Sequence, residues 1–254
     1  MSEVSKTAEN IISKLRYFAK LYSINSLFVV GGYCRSIILG DKINDIDIAS
    51  AHPNQALILC GLFASEILHT TPQFYRRTGT GVIEYEGLKV EFQNQSVNAY
   101  MHNEDIRTWM RQKGIRDTPL MNNVYGRDFT INSLILSIKN GEFYDLTGRA
   151  AKDMDKGIID TVLPSSIIVK YNPLVVLRAI RFACKYDFYI ESDLRKAMKN
   201  QRDRIKKAYS QERISKEIDK ILTNNPKKGL EELQRYDLLS LVISEQLQHH
   251  LKGD

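Results

Sequence analysis

The chain has 254 residues, 43% of them apolar and 26% charged, with a formal net charge of +6, which is enough to bury a real core and ordinary for a folded globular protein. No apolar run approaches the ~20 residues that cross a bilayer, and the opening MSEVSKTAENIISKL has no apolar core of a secretion signal, so a cytosolic protein without membrane partners is expected. Cys34, Cys60 and Cys184 are too scattered for a disulfide framework or a zinc site and read as small buried hydrophobes. In chain order, ENIISKLRYFAKLY spaces its apolar residues as a helix, SLFVVGG reads as a strand ending in glycines, YCRSIILG as a short helix and DIDIAS as a second strand. NQALILCGLFASEIL is a further helix, and TGVIEYEGLKVEFQN is a hairpin turning near Glu86-Gly87.

Residues 101–125 are polar and aperiodic and read as a long mobile loop with one helical turn. RDFTINSLILSI is expected to resume as a helix, GEFYDLTG as a strand and turn, and RAAKDMDKGII as a helix. After Pro164 the pattern is almost wholly helical: NPLVVLRAIRFACKYDF, SDLRKAMKNQRDRIKKAY, QERISKEIDKILTN and PKKGLEELQRYDLLSLVISEQLQHH. The layout predicts an α+β head over residues 1–168 and an all-α neck over 169–254. Charge divides in the same way: residues 1–168 hold 18 basic and 18 acidic side chains, residues 169–254 hold 18 and 12. The densest basic run contributes Arg195, Lys196, Lys199, Arg202, Arg204, Lys206 and Lys207, the expected footprint for RNA, with a merely solvated helix face as the competing reading.

The candidate chemistry lies in DIDIAS. Residues i and i+2 of a strand share a face, so Asp45 and Asp47 present both carboxylates on one side while Ile46 and Ile48 face the core. Two adjacent carboxylates repel unless a divalent cation joins them. Gly31-Gly32, ahead of a helix start, lets backbone amides approach phosphate, and Arg35 in the first helical turn adds a permanent charge. Two metal ions need a third acid. Glu91 in LKVEFQ is the choice, because Val90 and Phe92 take the core face and leave it on the other.

Six blocks, GGYCRSIILG with DIDIAS, GTGVIEYEGLKVEF, GRDFTINSLIL, YDLTGRAAKDMDKGIID, NPLVVLRAIRFACKYDF and ERISKEIDKIL, occur over residues 27–222. Their order and spacing resemble the class II tRNA nucleotidyltransferases, the CCA-adding enzymes and their poly(A) polymerase relatives. The resemblance implies a DNA polymerase beta-type nucleotidyltransferase head, a small mixed sheet flanked by helices, followed by a helical neck. It implies transfer of C and/or A from CTP or ATP to the 3′ ends of tRNA or another RNA, with two Mg²⁺ ions. By that likeness Asp45 and Asp47 hold Mg²⁺ and Glu91 completes the carboxylate set. Gly31, Gly32, Arg35 and Arg127 face the triphosphate, and Asp128 and Asn132, at i and i+4 on one helix face, meet a ribose hydroxyl. Asp128 as a plain helix N-terminal acid is the alternative. Arg178 and Arg181 meet the nucleotide or RNA, or else form a structural salt bridge to the head.

The sequence departs from the family's pattern where the neck helix usually opens with a Glu-Asp pair and, after two intervening residues, an Arg that together read the base. Here those positions are Tyr171, Asn172 and Val175. Val175 cannot hydrogen-bond a base, Asn172 before Pro173 can serve as an N-cap, and Tyr171 can stack. Ser36 stands where an Asp is usual and Gly126 where an Arg often precedes RDF, and the likeness ends before the body and tail domains of relatives. The expectations are therefore a tRNA 3′-end nucleotidyltransferase with a rebuilt selection site, the same chemistry with relaxed nucleotide choice, or a non-catalytic RNA-binding relative.

Overall fold

The computed structural model of the chain describes residues 3–50, 55–93 and 99–241. The chain divides into two compact units, Met1–Met154 and Asp155–Asp254, so the division falls ahead of the expected 168/169 boundary. The reason is strand pairing: in the second unit β8 (Ile158–Ile159) lies parallel to β9 (Tyr189–Ile190), which ties the segment after Met154 to the helical part of the chain.

The first unit opens with α1 (Glu3–Leu21), followed by β1 (Leu27–Val30), α2 (Gly32–Leu39), β2 (Asp45–Ser50), α3 (Ala56–Leu62) and a π-helical turn over Phe63–Leu68. Next come β3 (Gln73–Tyr75), β4 (Thr80–Tyr85) and β5 (Leu88–Gln93), then α4 (Glu104–Gln112), α5 (Pro119–Tyr125), β6 (Ile135–Ser137), β7 (Phe143–Tyr144) and α6 (Ala150–Asp155). The strands form one mixed sheet in the order β3-β4-β5-β2-β1-β6-β7, with β2 and β5 parallel and β1 antiparallel to both its neighbours. The β4–β5 hairpin turns at Glu86 (φ 50°) and Gly87 (φ 74°), two consecutive left-handed residues that match the twist of a two-residue hairpin.

Alternation separates the two faces of this sheet. Ile46, Ile48, Val90 and Phe92 are buried on one face, where Phe92, Phe63 and Phe18 form a chain of rings at 5.8 and 5.4 Å that joins β5 to α3's π turn and to α1. The other face is closed over part of its area by Val30, Ala49, Val124 and Ile135, with Leu120 and Tyr125 of α5 packed on them. Asp45, Asp47, Lys89, Glu91 and Gln93 share that second face, since Asp45 pairs with Lys89, and Asp47 with Glu91, across β2 and β5.

Three expectations for this part of the chain fail. Residues 101–125 are not a long loop: Asn103 caps α4 by accepting from the Asp105 amide (3.0 Å), and Thr118 caps α5, accepting from Met121 N–H (3.3 Å) with Pro119 in the first turn. Ile106 and Met110, four apart, are the buried stripe of α4; the polar remainder hid it. RDFTINSLILSI is not a helix either. It makes one 3₁₀ turn over Thr130–Asn132 and then enters the sheet as β6 beside β1, because a short run buried on all sides has no helical or strand period to read. Similarly, RAAKDMDKGII is helical only over α6 before passing into β8.

The second unit continues from β8 with α7 (Ser165–Tyr171) and α8 (Val175–Tyr186), then β9, α9 (Ser192–Ala197), α10 (Arg202–Ala208), α11 (Gln211–Asn224) and α12 (Pro226–Arg235). Its core is α8, buried at Val175, Val176, Leu177, Ala179, Ile180, Phe182 and Ala183, against the Ile214, Ile218 and Ile221 stripe of α11. The basic run expected as one helix is broken between α9 and α10 by Asn200, at φ 58°, a conformation no helix interior holds. Residues 242–254, the end of the last expected helix, lie outside the described residues. Cys34, Cys60 and Cys184 are free and buried, as expected.

Candidate active site

Gly31 ends β1 at φ 76° and leads into α2. A Cβ there would lie 2.9 Å from Arg127 Nη1 and 3.1 Å from Asp47 Oδ2, and one on Gly32 would lie 3.5 Å from Arg35 Nη2 and 3.9 Å from Asp45 Oδ1. The glycine pair is thus the floor on which both aspartates and both arginines meet, and a side chain at Gly31 would displace them.

Asp45 is exposed at the start of β2, and Asp47 is half-buried. Burial pushes the Asp47 carboxyl up to about 6, partly offset by the Arg127 guanidinium, while the negative charges of Asp45 and Glu91 push the same way as burial. Glu91, across the strand pair from Asp47, is ion-paired to Lys89. Gln93 Nε2 donates both to Asp47 Oδ1 and to Glu91 Oε2, each at 3.2 Å.

Arg127 Nη2 donates to Asn123 Oδ1 at 3.0 Å, which anchors its other end to α5. Arg35 donates to Asn132 Oδ1, and Asn132 Nδ2 donates to Asp128 Oδ1 at 3.0 Å. Asp128 Oδ1 also accepts the Phe129 amide at 2.9 Å. Asp128 and Asn132 are buried and do meet, but not as i and i+4 on a helix: the 3₁₀ turn between them brings the two side chains together. Lys89, Gln93 and Asn123 were missed by sequence reasoning. The period-2 alternation that selected Glu91 places Lys89 and Gln93 on the same face and was signal enough for both.

Among the described residues, no three acidic, His or Cys side chains close a metal cage, so Glu91 does not complete one with the aspartates as it lies. The donor set still fits Mg²⁺, which binds through one or two carboxylates plus substrate phosphates rather than an all-protein cage: Asp45 and Asp47 are two carboxylates on one face of β2, beside the glycine turn.

Several of the residues marked in the second unit are engaged locally. Arg181 Nε lies 3.0 Å from Glu217 Oε2 of α11, their side chains 17% and 13% exposed, with the guanidinium 4.4 Å from the Phe182 ring centroid. That salt bridge runs within the unit, not to the head. Arg178 is half-buried on the same helix. Asn172 caps the C-terminus of α7 rather than starting α8, whose cap is Leu174, and its Oδ1 accepts the Tyr209 hydroxyl at 2.7 Å. Tyr171 is half-buried with Lys170 Nζ 5.0 Å above its ring, and Val175 is fully buried. Arg195, Lys196, Lys199, Arg204, Lys206 and Lys207 are exposed and Arg202 partly so; Lys196 pairs with Asp193 and Arg202 with Asp203 and Asp237.

Residues 27–160 match the family described as the poly(A) polymerase head domain, and residues 187–249 match one described as a probable RNA- and SrmB-binding site of polymerase A. The chain belongs to the poly(A) polymerase head-domain family. Among curated relatives, it is 29% identical over 238 residues to the mitochondrial CCA tRNA nucleotidyltransferase of Candida glabrata, covering 86% of this chain and 43% of that one. It is 32% identical over 210 residues to the CCA-adding enzyme of Limosilactobacillus reuteri, covering 81% and 48%. The chain therefore spans about half the length of the curated relatives it matches. A CCA-adding enzyme solved with ATP superposes with a TM-score of 0.72 at 24% identity, over 93% of this chain and 53% of that one. The Thermotoga maritima CCA-adding enzyme solved with tRNA superposes with a TM-score of 0.73 at 24% identity, over 94% and 55%. These likenesses establish the family's fold, and the expected α+β head followed by a helical neck holds, except that the short strand β9 interrupts the helices of the neck. No helix among the described residues is long and apolar enough to cross a membrane.

Proposed function

We propose that this chain is a metal-dependent, template-independent RNA nucleotidyltransferase that adds C and/or A to tRNA 3′ ends with release of pyrophosphate. The observation that carries the reading is the meeting of Asp45 and Asp47 with Gly31, Gly32, Arg35 and Arg127 at one end of the sheet, three acids (Glu91 included) facing two permanent cations. Asp45 and Asp47 would hold Mg²⁺, which supplies positive charge to the triphosphate and lowers the pKa of the attacking hydroxyl. Family membership and the names of the curated relatives support the same chemistry.

In the reaction, the RNA 3′-oxygen forms a bond to the α-phosphorus as the bond to pyrophosphate breaks. Arg35 and Arg127 carry the permanent charge that the triphosphate needs, and the backbone amides after Gly31 approach it without a Cβ in the way. Asp128 and Asn132 hold Arg35 in place and offer their remaining polar atoms to a ribose hydroxyl. In the second unit, Arg178 and Tyr171 are assigned to the nucleotide, and the exposed cations Arg195, Lys196, Lys199, Arg204, Lys206 and Lys207, with Arg202, to the RNA backbone.

The test offers the purified chain Mg²⁺ and tRNA transcripts ending at the discriminator base, at C or at CC, each with one labelled nucleoside triphosphate at a time. Ordered addition of C, C and A that then stops is expected; no incorporation while tRNA is still bound would leave a non-catalytic RNA-binding protein. A second reading, transfer with relaxed base choice, is favoured by buried, apolar Val175 and by the commitment of Asn172 Oδ1 to Tyr209. Incorporation of several bases irrespective of how the transcript ends, without a stop after CCA, would establish it in place of the first.

A further inference from the structure

β5 carries a cation, an acid and an amide at i, i+2 and i+4, Lys89, Glu91 and Gln93, all on the face that holds Asp45 and Asp47. Lys89 is exposed and Gln93 half-buried. Lys89 is directly across the parallel strand pair from Asp45 and is ion-paired to Glu91, with side chains 47% and 20% exposed. Gln93 Nε2 has two N–H groups, and they divide between Asp47 Oδ1 and Glu91 Oε2 at 3.2 Å each.

From this arrangement we propose that Lys89 is a built-in counter-cation of the acid cluster: it holds Glu91 and offsets Asp45 and Asp47 before a divalent cation arrives, and is displaced when one binds. Gln93 is the positioning residue that keeps Asp47 and Glu91 aligned in both states. The inference rests on the metal-dependent reading of the proposed function. The two devices respond oppositely to a cation. A carboxylate oxygen has two lone pairs, so Asp47 and Glu91 can keep the neutral Gln93 amide and still accept a metal ion. A lysine ammonium beside a divalent ion is repelled by it and has a flexible four-carbon stem on which to swing into water. Lys89 thus sets the threshold of metal uptake, and without metal it prevents the acids from driving one another apart.

The test measures Mn²⁺ uptake by the full chain without nucleotide, counting free Mn²⁺ by electron paramagnetic resonance at fixed pH and salt, alongside melting in chelator. Lys89→Met is expected to bind Mn²⁺ about fivefold more tightly, given unit-charge repulsion damped by solvent and salt, and to melt below wild type in chelator, with the gap closing as Mn²⁺ is added. Lys89→Arg should restore both values, and Gln93→Leu should weaken binding about threefold by releasing two hydrogen bonds. Unchanged or weaker Mn²⁺ binding by Lys89→Met overturns the proposal. If wild type takes up no Mn²⁺, the metal-dependent reading falls by itself; the counter-cation role is then decided by the melts, and equal melting of Lys89→Met and wild type would overturn it.

Discussion

The acid-bearing face of β2 and β5 in the first unit and the arginine-bearing α8 in the second are drawn from similar residues, charged side chains set among apolar ones, yet their charges are balanced in opposite ways. On the sheet, Asp45, Asp47 and Glu91 come together from two strands, and they are compensated by an exposed lysine, an amide and an arginine folded over a glycine. On α8, Arg181 is ion-paired to Glu217 of the adjoining helix and lies on an aromatic ring, with the pair largely out of solvent. Like charges gathered at cost on an accessible face indicate a ligand of opposite sign, whereas a mostly buried ion pair between two packed helices is holding structure.

Breaking the comparison on its strong side gives the largest effect. Asp45→Ala or Asp47→Ala should lower nucleotide transfer by about 10³-fold or more, the scale of lost charge stabilisation at a reacting phosphate, while gel-shift binding of tRNA is kept; substantial turnover in either variant would sink the assignment. On the structural side, Arg181→Ala should cost about 2–3 kcal/mol in urea unfolding, because it strands Glu217 in a site that is mostly buried. A loss under about 0.5 kcal/mol, as for exposed pairs, would return Arg181 to the ligand-binding list.

Asp47 sharpens the comparison through pH. Its carboxyl is raised to about 6 by burial, against the pull of Arg127, with Asp45 and Glu91 adding to the rise. A raised carboxyl binds its proton more tightly folded than unfolded, so its contribution is favourable at low pH and lost as pH climbs through the folded value. Asp47→Asn should therefore be more stable than wild type in chelator above about pH 6.5, by on the order of 1–3 kcal/mol, with the difference closing below about pH 4. Equal stability across that range would show that the cluster is not electrostatically strained. The smallest effect concerns the exposed run of the second unit: Lys206→Glu with Lys207→Glu should weaken RNA binding about fivefold and lower the log–log salt slope by about 2. An unchanged slope would make those lysines a solvated face.

Much of the site could be read from the chain because strand alternation is a strict rule. Once DIDIAS and LKVEFQ are strands, Asp45, Asp47 and Glu91 must face away from Ile46, Ile48, Val90 and Phe92, and the structure places them so. The Gly31 turn and the Glu86-Gly87 hairpin were equally legible, since only particular residues accept left-handed backbone. The helices α4 and α5 were signalled by Asn103 and Thr118 as caps, but their narrow apolar stripes were outweighed by polar neighbours.

The sequence by itself determined the local grammar: which residues can turn, which face of a strand each side chain takes, and which family the blocks belong to. Tertiary structure alone decided who answers whom. That RDFTINSLILSI becomes a turn and a strand depends on β1 offering a free edge, and that Arg181 finds Glu217 depends on α8 lying along α11. The parallel register that sets Lys89 across from Asp45 is likewise a contact between segments more than 40 positions apart. Propensity and periodicity act within a few residues of the chain, whereas pairing energies are settled only when distant segments pack.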